Sequence, residues 1–289
     1  MTMQNARKKG LLIDLVTYAL AFGIAAVPFA FIEEALPATA VFTAVATVVV
    51  FIVSTVYSDV SVYDPYWSVA PPVMLIANMI KYRLFGPNAW ILFGIVGIWS
   101  LRLTGNWFLT YKGLGHEDWR YAMYRKKYSP LVFHLISFAG LHFMPTIVVY
   151  LGLVNGLLAM RVGDFSIRVL FGCVVMFSAV FLEFVSDRAI HRFLAELKGE
   201  RKTCDISVWK YSRHPNYLGE MTFWTGMFLY YVVLCPKEWY FGLGFLGIVI
   251  MFLVVSIPMM EKHNLERRPD YAEYRKKTSM LFLWPNRRE

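Results

Sequence analysis

The chain has 289 residues, 57% of them hydrophobic and 17% charged, against about 45–50% and about 25% in an ordinary soluble domain. That balance excludes a soluble globule of usual composition and a disordered chain. Three cysteines (Cys173, Cys204 and Cys235) with no C-x-x-C pair give neither a disulfide framework nor a zinc motif. A net charge of +9 raises nucleic acid as a partner. The long apolar runs make membrane topology the better explanation, and no nucleic-acid partner is expected.

Windows of about 19 residues place apolar spans near 11–31, 38–57, 69–80, 88–110, 131–155, 166–186, 217–234 and 239–259. The first is expected to be a membrane anchor and not a cleaved signal peptide. It is too long, and its Phe31-Ile32-Glu33-Glu34 exit lacks a small-residue cleavage site. The third is short, and Pro71 and Pro72 are expected to deny it a regular helical start. With the N-terminus inside, it and the inner loops and tail together hold 23 of the 29 Lys and Arg residues. The expected fold is therefore an all-α, multi-pass membrane bundle of about eight helices with both termini cytoplasmic. A bacterial inner membrane or the endoplasmic reticulum would show the same pattern.

One internal echo stands out. Tyr121-Ala122-Met123-Tyr124-Arg125-Lys126-Lys127 resembles Tyr271-Ala272-Glu273-Tyr274-Arg275-Lys276-Lys277. Both are read as interfacial helices with aromatic and basic anchors.

Polar groups in or beside spans are costly and are candidates for function. In chain order the first is Tyr63-Asp64-Pro65-Tyr66-Trp67-Ser68, an acid among aromatics at the mouth of the third span. It reads as a cavity lining or as an aromatic belt around a solvated acid. Arg102 and Asn106 follow at i,i+4 on the fourth span, where Arg102 also has the option of snorkelling. Glu183, Asp187 and His191 form a stripe in four-residue steps. Consecutive i,i+4 ligands on one straight helix rarely close a coordination sphere, so no metal is expected and hydrogen bonding to a sugar or amide is preferred. The densest signal runs from Lys210 to Glu220, with Trp224 beyond. Pro215 suits the first turn of a helix. The positive end of that helix, with Lys210, Tyr211, Arg213, His214 and Tyr217 around it, predicts an anion site. Gly219 is expected to admit a ligand. Asn216, Glu220 and Trp224 share a face that offers an amide, a carboxylate and an aromatic plane, the set a nicotinamide ring and its carboxamide need.

Ser212-Arg213-His214-Pro215-Asn216-Tyr217-Leu218-Gly219-Glu220, with Trp224 and Gly226, resembles the signature of the steroid 5-alpha-reductase superfamily. It is more similar still to a mostly bacterial membrane branch that shares its C-terminal domain. Asp64 to Ser68, Glu117 to Tyr121, Ile257 to Glu261, Arg267 to Tyr271 and Tyr274 to Pro285 match that branch in order. The resemblance implies residues 1–36 as an extra N-terminal helix on a reductase-like domain at 37–289, with a substrate half at 37–160 and a cofactor half at 161–289. It implies NADPH-dependent reduction of a C=C bond conjugated to a carbonyl in a lipophilic, steroid-like or prenyl-like substrate. Glu183, Asp187, Asn216, Glu220, Trp224 and Tyr271 fall on cofactor positions of that family. Arg102, Tyr211, Arg213, His214, Tyr217, His263 and Arg275 join them, and Lys198, Arg201 and Lys202 are expected at the 2′-phosphate. Asp64 falls on the catalytic acid. Trp99 stands where the family has a catalytic tyrosine, so Tyr63 or Tyr66 is expected to donate the proton. Trp67, Trp99 and Asn106 are expected to meet the substrate. The alternative is an S-adenosylmethionine-dependent methyltransferase of the isoprenylcysteine type, which shares the His-Pro-Asn-Tyr pattern. Membrane lipid and the substrate are the expected partners, with the oligomeric state left open.

Overall fold

The computed structural model describes residues 3–197 and 199–286. Among them 80% are helical and none lies in a strand. Among the described residues six helices are long and apolar enough to cross a membrane. The chain is thus built as a multi-pass helical membrane protein, with large apolar side chains such as Leu15, Leu101, Val174 and Phe181 facing outward.

The chain divides at residue 165 into two compact units. The first holds α1 (Met3–Phe31), α2 (Ala35–Val56), α3 (Tyr66–Tyr82), α4 (Pro87–Thr110), the short α5 (Trp119–Lys127) and α6 (Pro130–Ala159). The N-terminal helix α1 packs along α2, as part of this unit. A 3₁₀ turn, Val60–Tyr63, leads from α2 toward α3. Here the structure corrects the expectation at the prolines. α3 starts at Tyr66 and runs through Pro71 and Pro72 without a break. The two missing N–H groups leave only the carbonyls four residues earlier, on Trp67 and Ser68, without their usual i+4 donors, while the fixed proline φ still suits the helix.

The second unit holds α7 (Val169–Glu196), α8 (Pro215–Leu234), α9 (Pro236–Arg267) and the short α10 (Tyr271–Lys277). Both α6 and α9 contain a π-turn, Ser137–Phe143 and Met251–Ser256. Each comes just before or around the reach of a proline, Pro145 or Pro258, whose missing donor shifts the hydrogen-bond ladder.

α7 and α8 form the closest helix pair of this unit. A Cβ on Gly172 would lie 2.7 Å from the Tyr230 backbone, and one on Gly219 would lie 2.3 Å from Cγ of Glu183. The space at Gly219 is therefore taken by α7, which corrects the expectation that this glycine admits a ligand. Gly172→Ala is expected to destabilise the protein by ~1–3 kcal/mol, because backbone must move to accept the methyl group. Chemical denaturation in detergent checks this.

Candidate functional site

In the first unit the site is built on the segment between α2 and α3. Asp59 caps the 3₁₀ turn through Ser61 N–H at 2.9 Å and takes the Gly115 N–H at 2.7 Å on its other oxygen. This ties the 111–115 loop to the turn. Ser61 Oγ in turn accepts the Asp118 N–H at 3.0 Å, and Asp118 caps α5 through the Arg120 N–H at 2.9 Å. The result is that α5 presents Tyr121, buried, to Asp64: its hydroxyl donates to Asp64 Oδ1 at 2.6 Å.

Asp64 is partly buried. Burial pushes its carboxyl up to about 7, opposed by Arg120 and the Tyr121 hydrogen bond and reinforced by Asp118 and Asp59. Burial, and then the neighbouring Asp64, raises the Tyr121 hydroxyl well above its usual range, so it remains a donor. Arg120 is held by Asp118 at 2.7 Å. Below neutral pH the pair Asp64–Tyr121 is thus an acid and a phenol that both carry protons.

The hydroxyls of Tyr63 and Tyr66, the expected proton donors, bond to threonines. Tyr63 and Tyr66 are fully buried. The Tyr63 hydroxyl bonds with Thr146 Oγ1 at 2.8 Å, and the Tyr66 hydroxyl with Thr47 Oγ1 at 3.2 Å. Trp67 meets Trp99 edge to face, with ring centres 5.9 Å apart. Trp99 is fully buried, whereas Arg102 and Asn106, farther along α4, are partly exposed. Ser68 Oγ pairs with Thr104 Oγ1 at 2.8 Å, which fixes the start of α3 on α4.

In the second unit the centre is Glu261, which the sequence reading did not single out. One oxygen, Oε1, accepts Arg213 Nε at 2.9 Å, His214 Nε2 at 2.8 Å and the Tyr271 hydroxyl at 2.8 Å. Arg275 Nε lies 3.2 Å from Oε2. Four of the expected cofactor residues are therefore gathered on one carboxylate at the start of α8. Tyr217 stacks on His214 with planes 5° apart. The tail reinforces this mouth: Ser212 Oγ donates to the Leu281 carbonyl at 2.6 Å, and Arg213 Nη1 to the carbonyls of Arg275 and Thr278 at 2.7 and 2.8 Å.

The anion expected at the α8 terminus is thus the chain's own Glu261 on the His214 side. On the Arg213 side lies a cavity of about 520 Å³, lined by Arg213, Arg275, Lys276, Lys277, Phe282 and Trp284 among others. Glu220, Trp224 and Glu183 are buried, and Asn216, Asp187 and His263 are partly exposed. Tyr211 and Arg201 are exposed, and Lys202 is paired with Glu200 at 2.7 Å. Lys198 lies outside the described residues. Among the described residues no group of three His, Cys, Asp or Glu could hold a metal ion.

The echo between the two short helices gains a meaning that anchors alone do not give. The first tyrosine of each sets its hydroxyl on an acid of its own unit, Tyr121 on Asp64 and Tyr271 on Glu261. The sequence shows the repeat but not the acids, which lie 57 residues before and 10 residues before the respective tyrosines.

No curated protein and no solved structure matches the chain. A family model matches residues 50–278, which hold Asp64, Tyr121, Glu261 and their partners. The chain belongs to the family described as protein of unknown function DUF1295.

Proposed function

We propose that this protein is an NADPH-dependent membrane reductase of a C=C bond conjugated to a carbonyl in a lipophilic substrate, a relative of the steroid 5-alpha-reductases. In this reading α3 and α8 complete eight crossings, and both termini face the cytoplasm. The observation that carries it is the Asp64–Tyr121 pair. A carboxyl held protonated to about pH 7 and a phenol 2.6 Å away form a proton donor. Reduction of an enone needs such a donor at the carbonyl oxygen, where negative charge develops. Tyr121 takes the part for which the family tyrosine is missing at Trp99, and Asp64 keeps it supplied.

The second unit fits a dinucleotide by its chemistry. Four cations, Arg213, Arg275, Lys276 and Lys277, face one cavity together with the aromatic rings of Phe282 and Trp284. Two carboxylates, Glu261 and Glu273, contact them, so the cavity keeps positive charge for phosphates. Thr278 lines the same cavity, and its buried Oγ1 has no hydrogen-bond partner among the described residues. When bound, NADPH supplies a hydride. Arg213 and Arg275 would hold its phosphates, and Glu261 holds both guanidinium groups in place.

A thermal-shift titration separates this reading from the methyltransferase alternative. NADPH at a hundred times its Kd is expected to add ~2.7 kcal/mol of stability, while S-adenosylhomocysteine leaves the melting temperature unchanged. The reverse pattern would favour methyl transfer.

A further inference from the structure

The family match begins at residue 50, so α1 lies outside it. Yet α1 brings a carboxyl to the Asp64 segment. Asp14 stands inside the first apolar run, is 3% exposed, and neither of its oxygens has a hydrogen bond of ordinary geometry among the described residues. An acid so placed carries a high desolvation cost, which a mere anchor helix has no reason to bear.

The surroundings of Asp14 are fixed from two sides. One turn farther on the same face, Tyr18 donates its hydroxyl to the Val62 carbonyl at 2.6 Å, two residues before Asp64. One turn earlier, the Tyr111 hydroxyl fills the place beside Gly10, 2.3 Å from where a Cβ would stand, and lies next to the Asp14 carboxyl. The titratable and charged groups around Asp14 and Asp64 are Tyr18 of α1, Asp59 and Tyr63 of the 3₁₀ turn, Tyr111 of the loop, and Asp118, Arg120 and Tyr121 of α5. Asp59 spends both oxygens on backbone N–H groups, and Asp118 is paired with Arg120. Of these carboxyls, Asp14 and Asp64 alone are left to exchange a proton.

We propose that Asp14 is a positioning residue for Asp64: the two carboxyls form a coupled pair, and a proton entering past Tyr111 at the Arg7–Gly10 end of α1 reaches Asp64 through Asp14. The use of that proton rests on the reductase reading; the coupling of the two carboxyls does not. The steps balance with O–H bonds alone. Asp64 gives its proton up through Tyr121, takes one from Asp14, and Asp14 takes one from water.

Difference infrared spectroscopy of the full-length protein in lipid nanodiscs, titrated through the neutral range without cofactor, tests this. The protonated-carboxyl C=O bands of the wild type are expected to vanish in two steps, because the first charge opposes the second. The upper step is expected to be missing from Asp14→Asn and equally from Asp64→Asn, and to persist in Asp14→Glu. Independent carboxyls would behave otherwise: each variant would lose one step and leave the other at its wild-type pH, and that result overturns the proposal. If Asp14→Asn does not fold, the Asp64→Asn spectrum carries the test alone. A protein that shows the coupled steps but binds no NADPH would sink the reductase reading and leave the carboxyl pair standing. In turnover, Asp14→Asn is expected to lower kcat about tenfold with KM unchanged.

Discussion

Asp64→Asn is expected to lower turnover by about 10²–10³-fold, the usual loss of one donor at a developing oxyanion, and to leave NADPH affinity unchanged. The substitution is gentle structurally. The amide oxygen still accepts the Tyr121 hydroxyl now held at 2.6 Å, but the side chain has no proton to pass on. Steady-state kinetics and isothermal titration on the same preparation separate the two effects. Unchanged turnover would remove Asp64 from the chemistry. Tyr121→Phe, which deletes the phenol and leaves the acid, is expected to cost a similar factor. Additive losses would argue that the two act separately, whereas a pair working as one donor shows little further loss in the double variant.

The pH dependence follows from the same carboxyl. Its folded-state value is raised by burial to about 7 from the ordinary 3.8, so the folded protein holds this proton more tightly than the unfolded chain. The stability contributed is fully present below about pH 4 and is lost as pH rises through about 7. Turnover is expected to fall about tenfold per pH unit above neutrality, since only the protonated form donates. Asp64→Asn is expected to melt above the wild type at alkaline pH and to lose that advantage in acid. A melting series against pH reads both signs.

Most of the helical frame was legible in the sequence, because apolar runs of membrane length leave few alternatives. The miss at α3 came from reading Pro71 and Pro72 as breakers. They sit past the first turn, and a helix that has already begun needs only to leave the Trp67 and Ser68 carbonyls free. The partners of the polar residues were less legible. Nothing in the spacing of Tyr63, Tyr66 and Asp64 showed that the nearest phenol would come from Tyr121, because that contact is made by a capped turn that folds α5 back. Glu261 was hidden for the opposite reason. The cations near Pro215 read as waiting for a ligand, while their carboxylate arrives from 47 and 48 residues later in the chain. Asp14 was within reach: it is an acid in an apolar span, the same signal that picked out Glu183.

Glu261→Ala is expected to destabilise the second unit by about 3–5 kcal/mol, the cost of leaving the buried Arg213 guanidinium without its anion. Glu261 has a side chain only 10% exposed, as has Arg213, and His214 is 5% exposed. Removing the carboxylate strands both, together with the Tyr271 hydroxyl, where water has little access to replace it. Glu261→Gln keeps an oxygen for Arg213 and His214 and gives up only the charge, so it is expected to fall between the wild type and alanine. Glu273→Ala, which breaks the exposed pair with Lys277 on α10, is expected to leave stability unchanged and serves as the control. Chemical denaturation followed by tryptophan fluorescence orders the four proteins. Because Arg213 also bonds the carbonyls of Arg275 and Thr278, the alanine variant is expected to loosen the tail and expose residues 278–286 to protease well below the unfolding midpoint. A tail that stays protected in Glu261→Ala would mean that the carbonyl contacts hold Arg213 by themselves, and that Glu261 serves the mouth of α8 without organising the basic cavity beside it.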